Sequence, residues 1–244
     1  RRIRNTARFL LGNLHDFDPQ RDGVAHSDLP ELERWVLHRT HALATRVRAA
    51  YDAYEFHVIY HALVNFCSVD LSAFYLDVRK DRLYCDAATA PQRRATQTVL
   101  HHVLDALVRL MAPVLSFTAE EAWKHAPDGS RVASVFLAGL PDPPQAWVDP
   151  ALATRFERLL GVRAAVSKAV EEARNAGIVK QSSEARVTLA ARDDLESLLR
   201  ARAAELPTFL LAGEVELDGG PAPESPLVPG LGVRVEKARG GKCE

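Results

Sequence analysis

The chain has 244 residues, 47% of them hydrophobic and 26% charged, with a formal net charge of −1. That length allows one large or two ordinary domains, and the apolar share is enough for a packed core, so global disorder is excluded. Three cysteines (Cys67, Cys85, Cys243) are too few and too odd for a disulfide framework and fit a reducing compartment, while near-zero charge weighs against indiscriminate coating of nucleic acid but permits a local basic face.

In chain order, Arg1 to Leu11 reads as a helix, with Arg1, Arg4 and Arg8 on one face and Ile3, Phe9 and Leu10 covering much of the other. No initiator Met, apolar signal core or cap residue precedes it, and the chain closes on Gly240-Gly241-Lys242-Cys243-Glu244. Both ends look cut. No run reaches the roughly 18 apolar residues of a membrane span, so the expectation is a soluble, intracellular piece of a longer protein.

Asp28-Leu29-Pro30-Glu31 predicts a helix start with Asp28 as N-cap, leading into the stripe Leu32, Trp35, Val36, Leu43, Val47, Ala50, Tyr51 and Tyr54. Phe56, Ile59, Tyr60, Leu63, Phe66, Cys67, Leu71 and Phe74 repeat the stripe towards Leu83. Pro91 opens a further helix carrying Ala95, Val99, Leu100, Val103, Leu104, Leu107 and Met111, and Pro113 closes it. Thr118-Ala119-Glu120-Glu121 predicts a capping box, Thr118 at the N-cap and Glu121 at N3. Val132 to Leu137 suggests a short extended segment, and Pro141, Pro143, Pro144 and Pro150 mark a loop. One more helix follows, with Leu152, Phe156, Leu159, Arg163, Val166, Val170 and Ala173 along a side and Gly177 just past its end.

The period then changes. Ala185 to Ala190 alternates like a strand, Asp193-Asp194 caps a short helix, and Phe209–Leu211, Val215–Leu217 and Val233–Val235 read as further strands. The expected architecture is mainly α: a helical bundle over 1–178, a small α/β domain over 179–238, and at 239–244 the opening of another module.

No Walker loop, Gly-x-Gly-x-x-Gly, Gly-x-Ser-x-Gly or His-Glu-x-x-His occurs, so the chain is not expected to catalyse by itself. His57 and His61 share a helix face at i and i+4, but no further ligand falls at a metal-motif spacing. Four arginines and no acid lie within the first eight residues, and guanidinium forks suit phosphates and base edges, as the Asn5 amide suits a base edge. The plain alternative is a solvated face on a core helix, in a chain where arginine supplies 25 of 31 cations (the lysines being 80, 124, 168, 180, 237 and 242). Asp77 to Tyr84 is a dense charge cluster ending a helix, with Asp77 and Lys80 paired at i, i+3; for most of its side chains a solvated helix end is the plain reading. Trp35 lies on an apolar stripe and reads as core.

Four blocks carry a family resemblance. Arg2-Ile3-Arg4-Asn5-Thr6-Ala7-Arg8-Phe9-Leu10-Leu11-Gly12-Asn13-Leu14 with Asp16-Phe17-Asp18-Pro19, Leu32-Glu33-Arg34-Trp35-Val36-Leu37, Leu71-Ser72-Ala73-Phe74-Tyr75-Leu76-Asp77-Val78-Arg79-Lys80-Asp81-Arg82-Leu83-Tyr84, and Ala112-Pro113-Val114-Leu115-Ser116-Phe117-Thr118-Ala119-Glu120-Glu121-Ala122-Trp123 resemble, in order and spacing, the C-terminal region of bacterial-type isoleucyl-tRNA synthetases. The resemblance implies a helical anticodon-binding domain followed by a small α/β C-terminal junction domain, lacking the catalytic and editing domains that precede it in the family. It implies isoleucine tRNA, through its anticodon stem-loop, as partner, together with the chain's own catalytic domain, in a cytoplasmic monomer with no membrane contact. Arg1, Arg4, Asn5, Arg8, Lys80 and Arg82 become the candidate RNA-binding residues. ATP with Mg and a structural zinc belong to the full-length family enzyme and none of them to this stretch; Cys243 would be the first ligand of a zinc module, whose remaining ligands are not in the sequence. The family's Ile-Gly-x-Ser-Leu-Glu-Ala-like stretch reads Ile178-Val179-Lys180-Gln181-Ser182-Ser183-Glu184-Ala185 here, without its Gly and Leu. A non-catalytic helical scaffold for protein partners is the alternative, favoured if the arginines are tied up internally beside an exposed apolar patch.

Overall fold

A computed structural model describes residues 1–127, 132–217, 220 and 222–239. The chain packs as two compact units, Arg1–Ala153 and Thr154–Glu244. The expected 178/179 boundary follows the change of hydrophobic period, whereas the packing division falls near the start of the last long helix.

The first unit is helical: α1 (Arg2–Asn13), α2 (Glu31–Asp52), α3 (Phe56–Val78), α4 (Lys80–Cys85), α5 (Pro91–Met111) and α6 (Ser116–His125). Pro91 sits in the first turn of α5, where its missing N–H costs nothing. Ala95, Val99, Leu100, Val103, Leu104, Leu107 and Met111 are all buried, as the periodicity predicts, but so are Arg93, Thr96, Gln97 and Thr98. Burial nearly all round makes α5 the central rod, packed against α1, α2, α4 and α6.

Two buried ionic clusters fasten the bundle. Arg79 Nη2 donates to Glu33 Oε2 at 2.7 Å, and Thr96 Oγ1 donates to Glu33 Oε1 at 3.2 Å, tying the end of α3 to α2 and α5. Arg93 Nη1 donates to Asp16 Oδ2 at 2.7 Å and Gln97 Nε2 donates to Asp16 Oδ1 at 2.8 Å, pinning the loop after α1 to α5. The Arg93 hydrogen bond outweighs burial and holds the Asp16 carboxyl down at about 2.

Several local expectations need correcting. Asp28 does not cap α2; it lies in a 3₁₀ turn bonded by Ser27, and Pro30 occupies the cap position. Thr118 is inside α6, which starts at Ser116. Its neighbours Glu120 and Glu121 turn instead to Ser134 and Arg4, so the capping box is not made. Val135–Leu137 is a 3₁₀ turn rather than extended.

α3 passes the length and apolarity test for a membrane span, at a mean hydropathy of 1.2. Its Ile59, Leu63, Phe66, Cys67, Leu71, Phe74 and Tyr75 are nevertheless core residues, and its nearly buried Asp70 accepts from Arg39, so it serves here as a core helix. Over Phe66–Tyr75 the ladder shifts to i→i+5 bonding, a rare form that concentrates at functional sites.

The second unit holds most of α7 (Pro150–Asn175), then β1 (Ala185–Ala191), α8 (Asp193–Arg200), α9 (Leu206–Leu210), β2 (Glu214–Leu217) and β3 (Leu231–Lys237). The sheet order is β2-β1-β3; β1 runs parallel to β2 and antiparallel to β3, with Val187 opposite both Val215 and Val235. Gly177, at φ +74°, ends α7, and the Ile178 N–H reaches back to the Ala173 carbonyl. Phe209–Leu211, expected as a strand, is the end of α9: Pro207 starts that turn, Phe209 packs on Phe156, and Leu211 terminates it in the left-handed region.

Candidate nucleic-acid interface

α1 sorts its side chains as the sequence predicts. Ile3, Thr6, Ala7, Leu10 and Leu14 are buried, and Arg1, Arg2, Arg4, Asn5 and Arg8 are exposed. Arg4 Nη2 donates to both Glu121 oxygens at 3.1 and 2.8 Å, in an ion pair whose side chains are 62% and 54% exposed. Arg2 Nη1 donates to Ser68 Oγ at 3.4 Å. Arg1 and Arg8 have no side-chain partner among the described residues.

Two grooves flank this helix. The first, about 560 Å³, runs between α1 and the i→i+5 segment of α3; Arg2, Asn5 and Phe9 face Ser68, Ser72 and Lys80 across it. Ser72 Oγ donates to the Cys67 carbonyl at 2.7 Å, an i−5 contact that belongs to the widened turn. Lys80 Nζ donates to Asp77 Oδ1 at 2.5 Å, the i, i+3 pair expected from sequence, and that hydrogen bond raises the lysine pKa. The Asp77 carboxylate lines the cleft too and answers Lys80, so the hydroxyls, the Asn5 amide and Arg2 are the groups that can meet a base edge or a phosphate there.

The second groove, about 750 Å³, opens on the other side of α1 and is lined by Arg1, Arg2 and Arg4 together with Phe56, Tyr60 and Leu115. Of the predicted residues, Asn5 and Lys80 thus share one groove, and Arg1 and Arg4 share the other. Arg8 and Arg82 line neither. Arg82 Nη1 stands 4.0 Å from the buried Glu33 carboxylate, with its side chain 31% exposed, so part of its charge is already answered within the fold.

Phe56 and Tyr60, placed on the core stripe by periodicity, are 54% and 59% exposed, and Phe117 is 94% exposed. Arg2, Ser68 and Ser72 also escaped the residue-level expectation. Arg2 lay in the visible arginine cluster, but the serines gave no signal, because their facing depends on the widened turn. His57 and His61 are exposed, and the described residues hold no group of three or more metal-ligating side chains. Cys243 and the expected module start lie outside the described residues, apart from Arg239.

A family model for the anticodon-binding domain of tRNA ligase matches residues 33–189. The chain belongs to that family. Across its whole length it is also 47% identical to the isoleucine–tRNA ligase of Desulforudis audaxviator and 48% identical to that of Geobacter sulfurreducens, over 249 and 247 aligned residues. It covers 27% and 26% of those two proteins, so it spans about a quarter of the length of the curated relatives it matches.

Proposed function

We propose that this chain is the tRNA-binding part of an isoleucine–tRNA ligase and that its exposed α1 face engages the anticodon stem-loop. The observation that carries the reading is the acid-free arginine face of α1, exposed between two grooves in a domain of the anticodon-binding family. Guanidinium groups hold phosphates while Asn5 and the hydroxyl-lined cleft meet the edges of unstacked bases. Arg1, Arg4, Asn5, Arg8, Lys80 and Arg82 are the proposed contact residues, with Arg82 reaching outward from its Glu33 anchor.

In the whole enzyme, binding here orients the acceptor end of the tRNA in a distant active site, which works with ATP and Mg on a domain outside this chain. Loss of these contacts then lowers aminoacylation more than amino-acid activation. Zinc, if held, needs ligands beyond Cys243, since one thiolate cannot close a tetrahedral site. A monomer in the cytoplasm completes the proposal. The scaffold alternative is not favoured, because among the described residues only Arg4 of the three aligned arginines makes an ion pair and that pair is open to water.

The test is titration of the chain with isoleucine tRNA and with a tRNA of unrelated anticodon across a salt series. Tighter binding to the first supports the reading. Equal binding to both, abolished alike by salt, rejects specific recognition.

A further inference from the structure

The run that leads out of the bundle into α7 cannot fasten itself. Pro141, Pro143, Pro144 and Pro150 supply no backbone N–H, so side chains of the helices must hold this strap. They do so in two unlike ways. Over Ser134 to Asp142 the anchors are a carboxylate and two arginines. Glu120 accepts from the Ser134 hydroxyl and the Val135 N–H, Arg109 donates to the carbonyls of Ala138, Gly139 and Leu140, and Arg48 pairs with Asp142. Arginine keeps its charge throughout the range in which histidine titrates, and the Ser134 hydroxyl holds the Glu120 carboxyl below its ordinary value.

Over Pro144 to Asp149 the anchors are imidazoles. His38 Nδ1, on α2, accepts the Asp149 N–H at 3.0 Å, and the His102 ring, on α5, makes a T-shaped contact with Trp147, centroids 5.1 Å apart. Trp147 is buried, and the Asp149 carboxylate accepts the Leu152 N–H, capping the first turn of α7.

We propose that residues 144–149 are a latch that histidine protonation opens, while the arginine-held part of the strap and the bundle stay folded. A neutral imidazole offers Nδ1 as an acceptor, whereas the charged ring carries N–H on both nitrogens and sets a donor against the Asp149 N–H. His26, in the 3₁₀ turn before α2, has a buried Nε2 with no hydrogen-bond partner among the described residues. It lies within electrostatic reach of His102, so charging both rings sets like charges against each other.

Other groups face these rings. Arg34 stands near His26, Arg39 and His41 near His38, and His101 touches His102. Against them, the Asp149 carboxylate favours charge at His26 and His38, the Trp147 carbonyl at His38 and Asp105 at His102. Burial decides the balance, being the largest influence on all three rings and one that disfavours the charged form. Release gives the rings to water, so opening takes up protons and is favoured as pH falls below 6.5. Each histidine that gains a proton on release raises the open-to-closed ratio by up to about tenfold per pH unit. The latch does not depend on the tRNA-binding reading.

The experiment labels the chain with 5-fluorotryptophan and follows the fluorine resonances of Trp35, Trp123 and Trp147 from pH 7.5 to 5.5, with Trp147→Phe assigning the third. The Trp147 line should move to a solvent-exposed position as the open-to-closed ratio rises at least about tenfold, while the buried Trp35 and Trp123 keep theirs. His38→Asn with His102→Leu retains an acceptor and an apolar neighbour without a titrating ring, and should hold Trp147 buried at pH 5.5. An unmoved Trp147 line in the wild-type chain would overturn the proposal, as would three lines moving together, which marks global acid unfolding. Release that persists unchanged in the double variant would overturn it too. If that variant misfolds, the ring-nitrogen spectra of the wild-type chain decide. His38 Nδ1 should gain its proton over the pH range in which Trp147 moves, and a ring that stays neutral there overturns the latch.

Discussion

Replacing Arg4 and Arg8 together by alanine separates a binding face from a structural one. Arg4 makes one ion pair, with side chains 62% and 54% exposed, and Arg8 has no side-chain partner among the described residues. An exposed pair of this kind contributes about 0–1 kcal/mol. The first unit spans Arg1–Ala153, and at ~2.1 cal/mol/K per residue its unfolding entropy near the midpoint is about 0.3 kcal/mol/K. The double variant should therefore lower Tm by no more than about 3 °C. Its effect on RNA should be far larger: two charge-assisted contacts at roughly 1.5–3 kcal/mol each give a loss of at least a hundredfold if both are made. The salt dependence is the more diagnostic readout, because each lost phosphate contact reduces the slope of log K against log salt by about 0.7–0.9. Calorimetry and filter binding over a salt series measure both quantities. A Tm drop above about 5 °C, or an unchanged salt slope, would refute the assignment of this face to phosphate.

Glu33→Ala should cost about 3–5 kcal/mol, read from urea denaturation, because it strands the buried Arg79 guanidinium; a loss below 1 kcal/mol would show that water or another group compensates. Asp16 has a folded pKa of about 2 against an ordinary 3.8, so its contribution is complete above about pH 4 and fades as pH falls through 2. Asp16→Asn should remove that part of the acid limb, and an unaltered limb in pH-dependent unfolding would contradict it. His26, His38 and His102 are all pushed below 6.5 by burial near Trp147, and His38 Nδ1 accepts the Asp149 N–H. Their neutral forms stabilise the fold above pH 6.5, and that contribution is lost as pH falls towards the lowered folded values. The urea midpoint should drop between pH 7.5 and 5.5, and His102→Leu should flatten the drop.

The fold was legible where one periodic signal dominated. The stripes of α2 as far as Ala50, of α5 and of α7, the Pro91 start and the Gly177 stop all come from side-chain spacing and backbone freedom that act locally, whereas Tyr54, expected on the α2 stripe, lies past the helix end and is 79% exposed. Two of the errors share a cause, which is that a local motif competes with a tertiary partner for the same atoms. Thr118 and Glu121 satisfy the capping-box pattern, yet the Arg4 guanidinium claims Glu121 and the helix begins three residues earlier, with Leu115 at the cap position. Phe209 is β-prone, yet the Phe156 ring on α7 and Pro207 make that stretch a helical turn.

The candidate site was legible in charge and illegible in shape. Summing charge over 244 residues gives −1 and conceals an acid-free, four-arginine start. Read residue by residue, that start names the face but not the surfaces beside it. Periodicity counts Phe56 and Tyr60 with Ile59 and Leu63, because spacings of three and four are all it registers. In the fold, Ile59 and Leu63 meet the core while Phe56 and Tyr60 turn towards α1, where they stay more than half exposed among the described residues. Ser68 and Ser72 meet the other side of α1 within the i→i+5 run, a departure that no spacing rule anticipates. A stripe read from sequence is therefore wider than the core it feeds. Its surplus aromatic edge lies beside Arg1, Arg2 and Arg4, of which Arg4 is held by Glu121 and Arg2 by Ser68.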